Sequence, residues 1–459
     1  KKLLCDILKG EWGFDGVVVS DWGGCRDDDE AAANGLDIEM GTWTDGLRGA
    51  ASDSYQNYHL ARPYRERLRD GRASMEGLDD KASRVLRTIF RTSMASERHY
   101  GEFTSPEHFE AARKIAADGI VLLQNDGILP LNVAQGGKIL VVGENAYKMM
   151  VVGGGSSNLK TKYEVIPLEA LREAFAGKAE VVWERGYVGD VTTDYNKVVT
   201  GQDLSENRSA ERLVADAVQA AEDADCIVFI GGLNKSDRQD NEGTDREDIV
   251  LPYGQDGLIE ALAATGKKLV VVNISGSPCA MPWAEEVNAI VQGWYGGSES
   301  GHALADVLTG AVNPSGKLPF TMPLALSDGP LKTERQYPGI REEGETWWQE
   351  YYDEGVFIGY RWYDTRNIPV QYPFGYGLSY TTFSYGEPHV VGSASLNEPF
   401  TVEVSVTNTG SVDGKEAVLW YVSDPCSSVV TRPVKELKFF EKRLIKAGAT
   451  EVFRFEVDP

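Results

Sequence analysis

Cysteine, histidine and basic residues are all scarce in this chain of 459 residues, and each shortage closes off a class of function. The five cysteines (Cys5, Cys25, Cys226, Cys279 and Cys426) lie far apart with no CxxC pair, and their odd number rules out complete intrachain pairing. The five histidines include no HExxH, so no zinc motif is expected and no metal is assigned. No apolar run approaches the roughly 20 residues of a membrane span. Lys and Arg total 46 against 70 Asp and Glu, a formal net charge of −24. So acidic a surface repels phosphate backbones and anionic membranes, which argues against a nucleic-acid partner and suits a neutral substrate.

What is present is the composition of a globular protein of two or three domains, 42% hydrophobic and 25% charged. Gly16-Val17-Val18-Val19-Ser20-Asp21-Trp22 reads as a parallel strand buried on both faces. A helical stripe of Leu3, Leu4, Ile7 and Leu8 precedes it. Gly35-Leu36-Asp37-Ile38-Glu39-Met40 and helices over 64–70 and 78–94 follow. About two β/α units cannot close a sheet, so residues 1–100 are expected to be the C-terminal part of a (β/α)8 barrel whose earlier strands are not in this sequence.

From residue 105 buried runs alternate with amphipathic helices: Ile120–Leu123, Ile139–Gly143, Cys226–Ile230, Leu269–Ile274 and Ala289–Gln292. This predicts an α/β sandwich domain with a mostly parallel sheet over 105–323. Residues 324–385 carry Trp347, Trp348, Tyr351, Tyr352, Tyr360, Trp362 and Tyr363, too aromatic for disorder, and are expected to be a structured linker. From 386 to 459 the hydrophobic period is two, with Asn408-Thr409-Gly410 and Asp413-Gly414 turns. This predicts an immunoglobulin-like β-sandwich, incomplete because four or five strands stand where seven are expected.

Asp21 falls at the carboxyl end of its strand, where α/β folds place ligands; beside Trp22 it fits a nucleophile with an aromatic sugar platform, or a loop or capping acid beside a boundary Trp. A partner carboxylate is offered by Gln239-Asp240-Asn241-Glu242-Gly243-Thr244-Asp245-Arg246, which follows the Cys226–Ile230 strand. There Glu242 could act with Arg246 and Asp245 organising the loop, or the whole stretch could be a solvated acidic loop. Asp237, Asp240 and Glu242 fail the calcium-loop spacing, and Asp27-Asp28-Asp29-Glu30 reads as a helix start. Gly153-Gly154-Gly155-Ser156-Ser157 lacks the phosphate-loop spacing and is better read as a loop lining a neutral ligand. Ser275-Gly276-Ser277 has no nucleophile elbow around it.

Lys9 to Gly24 resembles, position for position, the nucleophile signature of family 3 glycoside hydrolases. The likeness continues through 35–40, 119–125, 242–246, 313–319 and 373–380, and Arg432 to Leu437 is similar to that family's fibronectin-type-III-like domain. The resemblance covers nearly the whole chain and is greatest to the bacterial β-glucosidase branch, which implies a secreted or periplasmic protein. It implies a retaining, exo-acting hydrolase of β-linked glucosides, with Asp21 as nucleophile and Glu242, from the second domain, as acid/base. By the same likeness Trp22 sandwiches the sugar near the cleavage point and Ser156 touches it. The family's other sugar-holding residues come from barrel strands that this sequence does not contain.

Such a mechanism needs no cofactor, and its two carboxyl groups lie about 5–5.5 Å apart. Glu242 is then expected to have the higher pKa, raised by the charge of Asp21. The alternatives are a β-xylosidase or dual-specificity glycosidase, and a non-catalytic carbohydrate-binding protein on the same architecture. The oligomeric state is not specified by any of these features.

Overall fold

The computed structural model describes residues 1–25, 27–40, 56, 58–92, 94, 101–189, 200–344, 348–395, 397–424 and 430–459. Trp347 and Cys426 lie outside the described residues. The chain divides into two compact units, Lys1–Phe103 and Thr104–Pro459.

In the first unit the leucine stripe forms a π-helix, Lys2–Glu11, whose Trp12 N–H donates to the Ile7 carbonyl and none of whose residues is buried. Helices α1 (Asp28–Ala33), α2 (Arg62–Arg69) and α3 (Met75–Arg91) follow. The acid run does start a helix: Asp27 caps α1 by accepting from the N–H groups of Asp29 and Glu30, at 2.9 and 2.8 Å. Ser74 caps α3 in the same way through the N–H of Gly77.

The Val17–Val19 segment is extended but not buried on both faces as its composition predicts: Val19 is 46% exposed. Among the described residues its strand pairing is a parallel bridge from Val19 to Ile38. Two extended segments have too few neighbours to cover each other above and below. What fixes the segment is polar. Asp37 is buried, accepts from the Val18 N–H at 2.8 Å, and pairs with Lys9 Nζ at 2.7 Å.

In the second unit α4 (Pro106–Gly119) leads into a six-stranded sheet of β1 (Val121–Asn125), β2 (Gly137–Val142), β3 (Ala179–Glu184), β4 (Cys226–Gly232), β5 (Lys268–Ile274) and β6 (Ala289–Gln292). Its order is β1-β6-β5-β4-β2-β3, parallel except that β1 runs antiparallel to β6. The crossover helices are α5 (Pro167–Ala174), α6 (Ala210–Ala221) and α7 (Gln255–Ala263), and α8 (Ser300–Thr309) follows the last strand of the sheet.

Each apolar run splits by alternation between two cores. Val228, Ile230, Val270, Val272 and Val291 pack with α5 and α8. Ile227, Phe229, Leu140, Val271 and Ile290 pack with α6, α7 and the fully buried Trp283 on the other side. Strand β3 is not predicted from the sequence. It is one of the two edge strands and the only half-buried one, so its glutamates Glu180 and Glu184 are tolerated and no apolar run announces it.

After a short pair, β7 (Met322–Pro323) with β8 (Val370–Tyr372), helix α9 (Tyr360–Arg366) orders the aromatic stretch. The Tyr360 hydroxyl accepts from the Leu437 N–H, and Gln371 bonds to the backbone of Met281, so this stretch touches both the sheet region and the C-terminal strands. Those strands are β9 (Phe383–Tyr385), β10 (His389–Val391), β11 (Phe400–Asn408), β12 (Gly414–Val422), β13 (Glu436–Ile445) and β14 (Thr450–Val457). One antiparallel sheet has β11 between β14 and the short β9 and β10, and the other pairs β12 with β13. Val404, Val406, Val418, Trp420, Ile445 and Phe453 fill the sandwich.

Candidate active site

Strand β4 ends where its backbone passes β5 so closely that only glycine fits. At Gly232 (φ 112°) a Cβ would lie 2.3 Å from the carbonyl oxygen of Ile274. Beyond it the chain turns outward into the acidic loop, and most of that loop's polar groups are tied down. Asp240 accepts from the N–H of Gly276 at 2.6 Å, the hydroxyl of Ser277 at 2.6 Å and the hydroxyl of Tyr295 at 2.8 Å. Tyr295 has its phenol pushed well up by burial, with the Asp240 charge adding to it. Asp237 accepts from Thr244 at 2.6 Å, and Arg246 donates to the Pro278 carbonyl, which anchors the loop as the sequence suggests. The loop is therefore a braced structure and not merely a solvated acidic run.

Glu242 stands at its exposed tip and is met by the glycine-rich loop. The Ser156 N–H donates to Glu242 Oε2 at 2.6 Å. That approach depends on Gly155 (φ 81°), where a Cβ would lie 2.5 Å from Cβ of Glu242. Gly154 (φ 83°) packs as tightly on the Lys235 side chain, and its N–H bonds to the Lys235 carbonyl at 2.9 Å. The glycines thus serve a close approach to the protein's own acidic loop, rather than only to a ligand.

The Ser156 hydroxyl and then its N–H hold the Glu242 carboxyl below its ordinary range. This corrects the expectation of a raised value. In this arrangement the carboxylate is stabilised by donors, and it is exposed to water, so little opposes its ionisation.

A cavity of about 1060 Å³ flanks this loop, with Asn241 and Thr244 on its wall and Arg246, Tyr295, Phe320 and Tyr363 around it. The other expected residues lie in the first unit. Asp21 is exposed and accepts the Trp22 N–H at 2.7 Å, and the turn is closed by the Gly24 N–H on the Asp21 carbonyl at 3.0 Å. Trp22 is 70% exposed, an indole face offered to solvent. The structure thus places Ser156 against Glu242 and Trp22 against Asp21.

Sequence reasoning missed the bracing of Asp240 by Tyr295 and Ser277, which no local spacing encodes. It also missed a cluster formed by Cys25, Glu39 and His59. None of the described cysteines, Cys5, Cys25, Cys226 and Cys279, is in a disulfide.

A mostly parallel sheet followed by an antiparallel sandwich agrees with the domains that the chain matches. Residues 120–380 match the glycosyl hydrolase family 3 C-terminal domain and residues 416–459 the fibronectin type III-like domain. The chain belongs to glycosyl hydrolase family 3.

Among its relatives is a protein named beta-glucosidase BoGH3A from Bacteroides ovatus, 44% identical across 100% of this chain and 61% of the relative. An exo-alpha-(1->6)-L-arabinopyranosidase from Bifidobacterium breve is 35% identical over 99% of this chain and 55% of its own length. The crystal structure of a family 3 beta-glucosidase from Bifidobacterium adolescentis superposes with a TM-score of 0.83 at 33% identity, over 100% of this chain and 61% of that one. The chain thus spans about three fifths of the length of these relatives. No helix among the described residues is long and apolar enough to cross a membrane.

Proposed function

We propose that the full-length protein is a retaining, exo-acting β-glucosidase, with Asp21 as nucleophile and Glu242 as acid/base. The observation that carries this reading is the 44% identity to a beta-glucosidase over the whole of this chain. The Asp21 carboxylate attacks the anomeric carbon of a terminal glucosyl residue while Glu242 gives its proton to the departing glycosidic oxygen. This leaves a glucosyl ester on Asp21. Glu242, now ionised, takes a proton from water as the water oxygen attacks the same carbon and the ester bond breaks. Both carboxyl groups return to their starting states. Trp22 offers an apolar face to a pyranose ring, and Ser156 supports the reading by positioning Glu242.

The arabinopyranosidase relatives favour a second specificity, for α-L-arabinopyranosides. The test is hydrolysis of aryl β-glucoside, β-xyloside and α-L-arabinopyranoside by the full-length protein, beside Asp21→Asn. The expected result is preference for the glucoside, release of β-glucose first, and loss of about 10⁴-fold or more in the variant. Equal rates in wild type and Asp21→Asn, or first release of the opposite anomer, would overturn the mechanism. A different preferred sugar would overturn only the specificity.

A further inference from the structure

Three side chains distant in sequence meet just beyond Asp21. Cys25, Glu39 and His59 each offer one ligand atom, and these atoms all lie within 4.8 Å of one another. The geometry points to a metal site, and we propose that Cys25, Glu39 and His59 bind one Zn²⁺ ion, holding the turn after Asp21 to the Ile38 segment and the approach to α2.

The donor set is the first argument. A thiolate, an imidazole nitrogen and a carboxylate oxygen are the three ligand types zinc takes, at about 2.0–2.3 Å each, leaving a fourth position of its tetrahedron for water. Calcium and magnesium prefer oxygens alone and would leave the thiolate without a role. The charge also closes, since a thiolate and a carboxylate together offset a dication. Cys25 is only 7% exposed, and its thiol would give its proton to solvent as the metal binds.

The surroundings are the second argument. His59 Nδ1 lies 2.5 Å from Asp28 Oδ1, the carboxylate–histidine arrangement that fixes a ligating imidazole, and the proposal gives Nε2 to the metal. Asp28 is held in turn by Arg67 at 3.1 Å, so the orienting carboxylate is itself oriented. Glu39 accepts the Leu60 N–H through Oε2 at 2.7 Å, which ties the glutamate to the residue after His59. Ligand spacings of 14 and 20 residues (25 to 39, 39 to 59) match no short zinc motif, which is why the cluster is invisible in the sequence. The ion would be structural: it stiffens the segment that carries Asp21 and takes no part in the chemistry at the sugar.

The experiment is titration of the chelator-treated full-length protein with Zn²⁺, and separately with Co²⁺ as a spectroscopic probe. The expected result is one equivalent bound per chain, a raised melting temperature, and a near-ultraviolet thiolate-to-cobalt band. Cys25→Ser removes the band, and His59→Ala weakens Zn²⁺ at least about tenfold. Asp28→Asn, which donates no ligand, weakens it by about 10–100-fold with the band retained. If Cys25→Ser does not fold, Glu39→Gln carries the affinity test. Absence of a saturable equivalent, or a cobalt band that persists in Cys25→Ser, would overturn the site. An Asp28→Asn affinity equal to wild type would overturn the role given to Asp28.

Discussion

Two runs of similar composition meet opposite fates in this molecule. Val17-Val18-Val19 bears Asp21 and is half-exposed, while Ile227-Val228-Phe229-Ile230 of β4, which leads to Glu242, is wholly buried. Valine-rich sequence does not bury itself; neighbouring strands and helices do. β4 has β2 and β5 on its two edges and helices on both faces, so its loop rises from a fixed base. The Val17–Val19 segment, with one bridge, is held instead by the buried Asp37–Lys9 pair and by the Arg84 guanidinium, which bonds the carbonyls of Phe14 and Gly16. One unit presents its carboxylate from an apolar core, and the other presents its own from a polar frame.

The sharpest way to separate the two carboxylates is chemical. Glu242→Gln in the full-length protein is expected to lower kcat/KM on alkyl β-glucosides by about 10²–10⁴-fold, the usual contribution of a general acid. Aryl glucosides with an acidic phenol leaving group need less protonation and lose much less. Asp21→Asn, by contrast, penalises both substrate types alike. Added azide restores turnover in Glu242→Gln by replacing the water that Glu242 would activate. A uniform loss across leaving groups would place Glu242 outside the acid/base role.

The second prediction concerns the two supports. In this 459-residue chain, Phe229→Ala empties a fully buried position and is expected to cost about 3–5 kcal/mol, read as a lowered urea midpoint for the second unit. Val18→Ala, at a half-buried position, is expected to cost under about 1 kcal/mol. Comparable losses at the two sites would mean that the first unit buries this segment far more than its exposure indicates.

The same contrast explains what was readable in advance. Runs such as Ile227–Ile230 and Ala289–Val291 declare themselves because a strand covered on both faces is apolar at nearly every position. β3 did not, because an edge strand can carry Glu180 and Glu184 without penalty. The rule that parallel strands deliver ligands at their carboxyl ends singles out Asp21 and Glu242 as candidates, and only the family resemblance gives them roles. The bond from Ser156 to Glu242 was not readable: it joins two loops 86 residues apart. Only the glycine run hinted at a close approach, without saying to what. The lowered Glu242 pKa follows from that same unseen bond, which is why reasoning from charge alone gave the wrong direction.

That bond supplies the smallest and most specific test. The Ser156 hydroxyl is the larger of the causes that hold the Glu242 carboxyl below its ordinary range, with its N–H second. A general acid must carry its proton, so kcat/KM falls as pH rises through the pKa of the acid in the free enzyme. Ser156→Ala removes the hydroxyl and keeps the N–H, so the Glu242 pKa should rise. The high-pH limb should then move upward by less than about one pH unit. Stability shifts in the opposite sense. A carboxyl with a lowered pKa contributes stability above its unfolded pKa and loses it as pH falls through the folded value. Wild type should therefore lose more stability on acidification than Ser156→Ala. A limb that stays in place or moves down would show that the Ser156 hydroxyl does not hold Glu242 in the working enzyme, and that the cradle acts through the backbone of Gly155 and Ser156 alone.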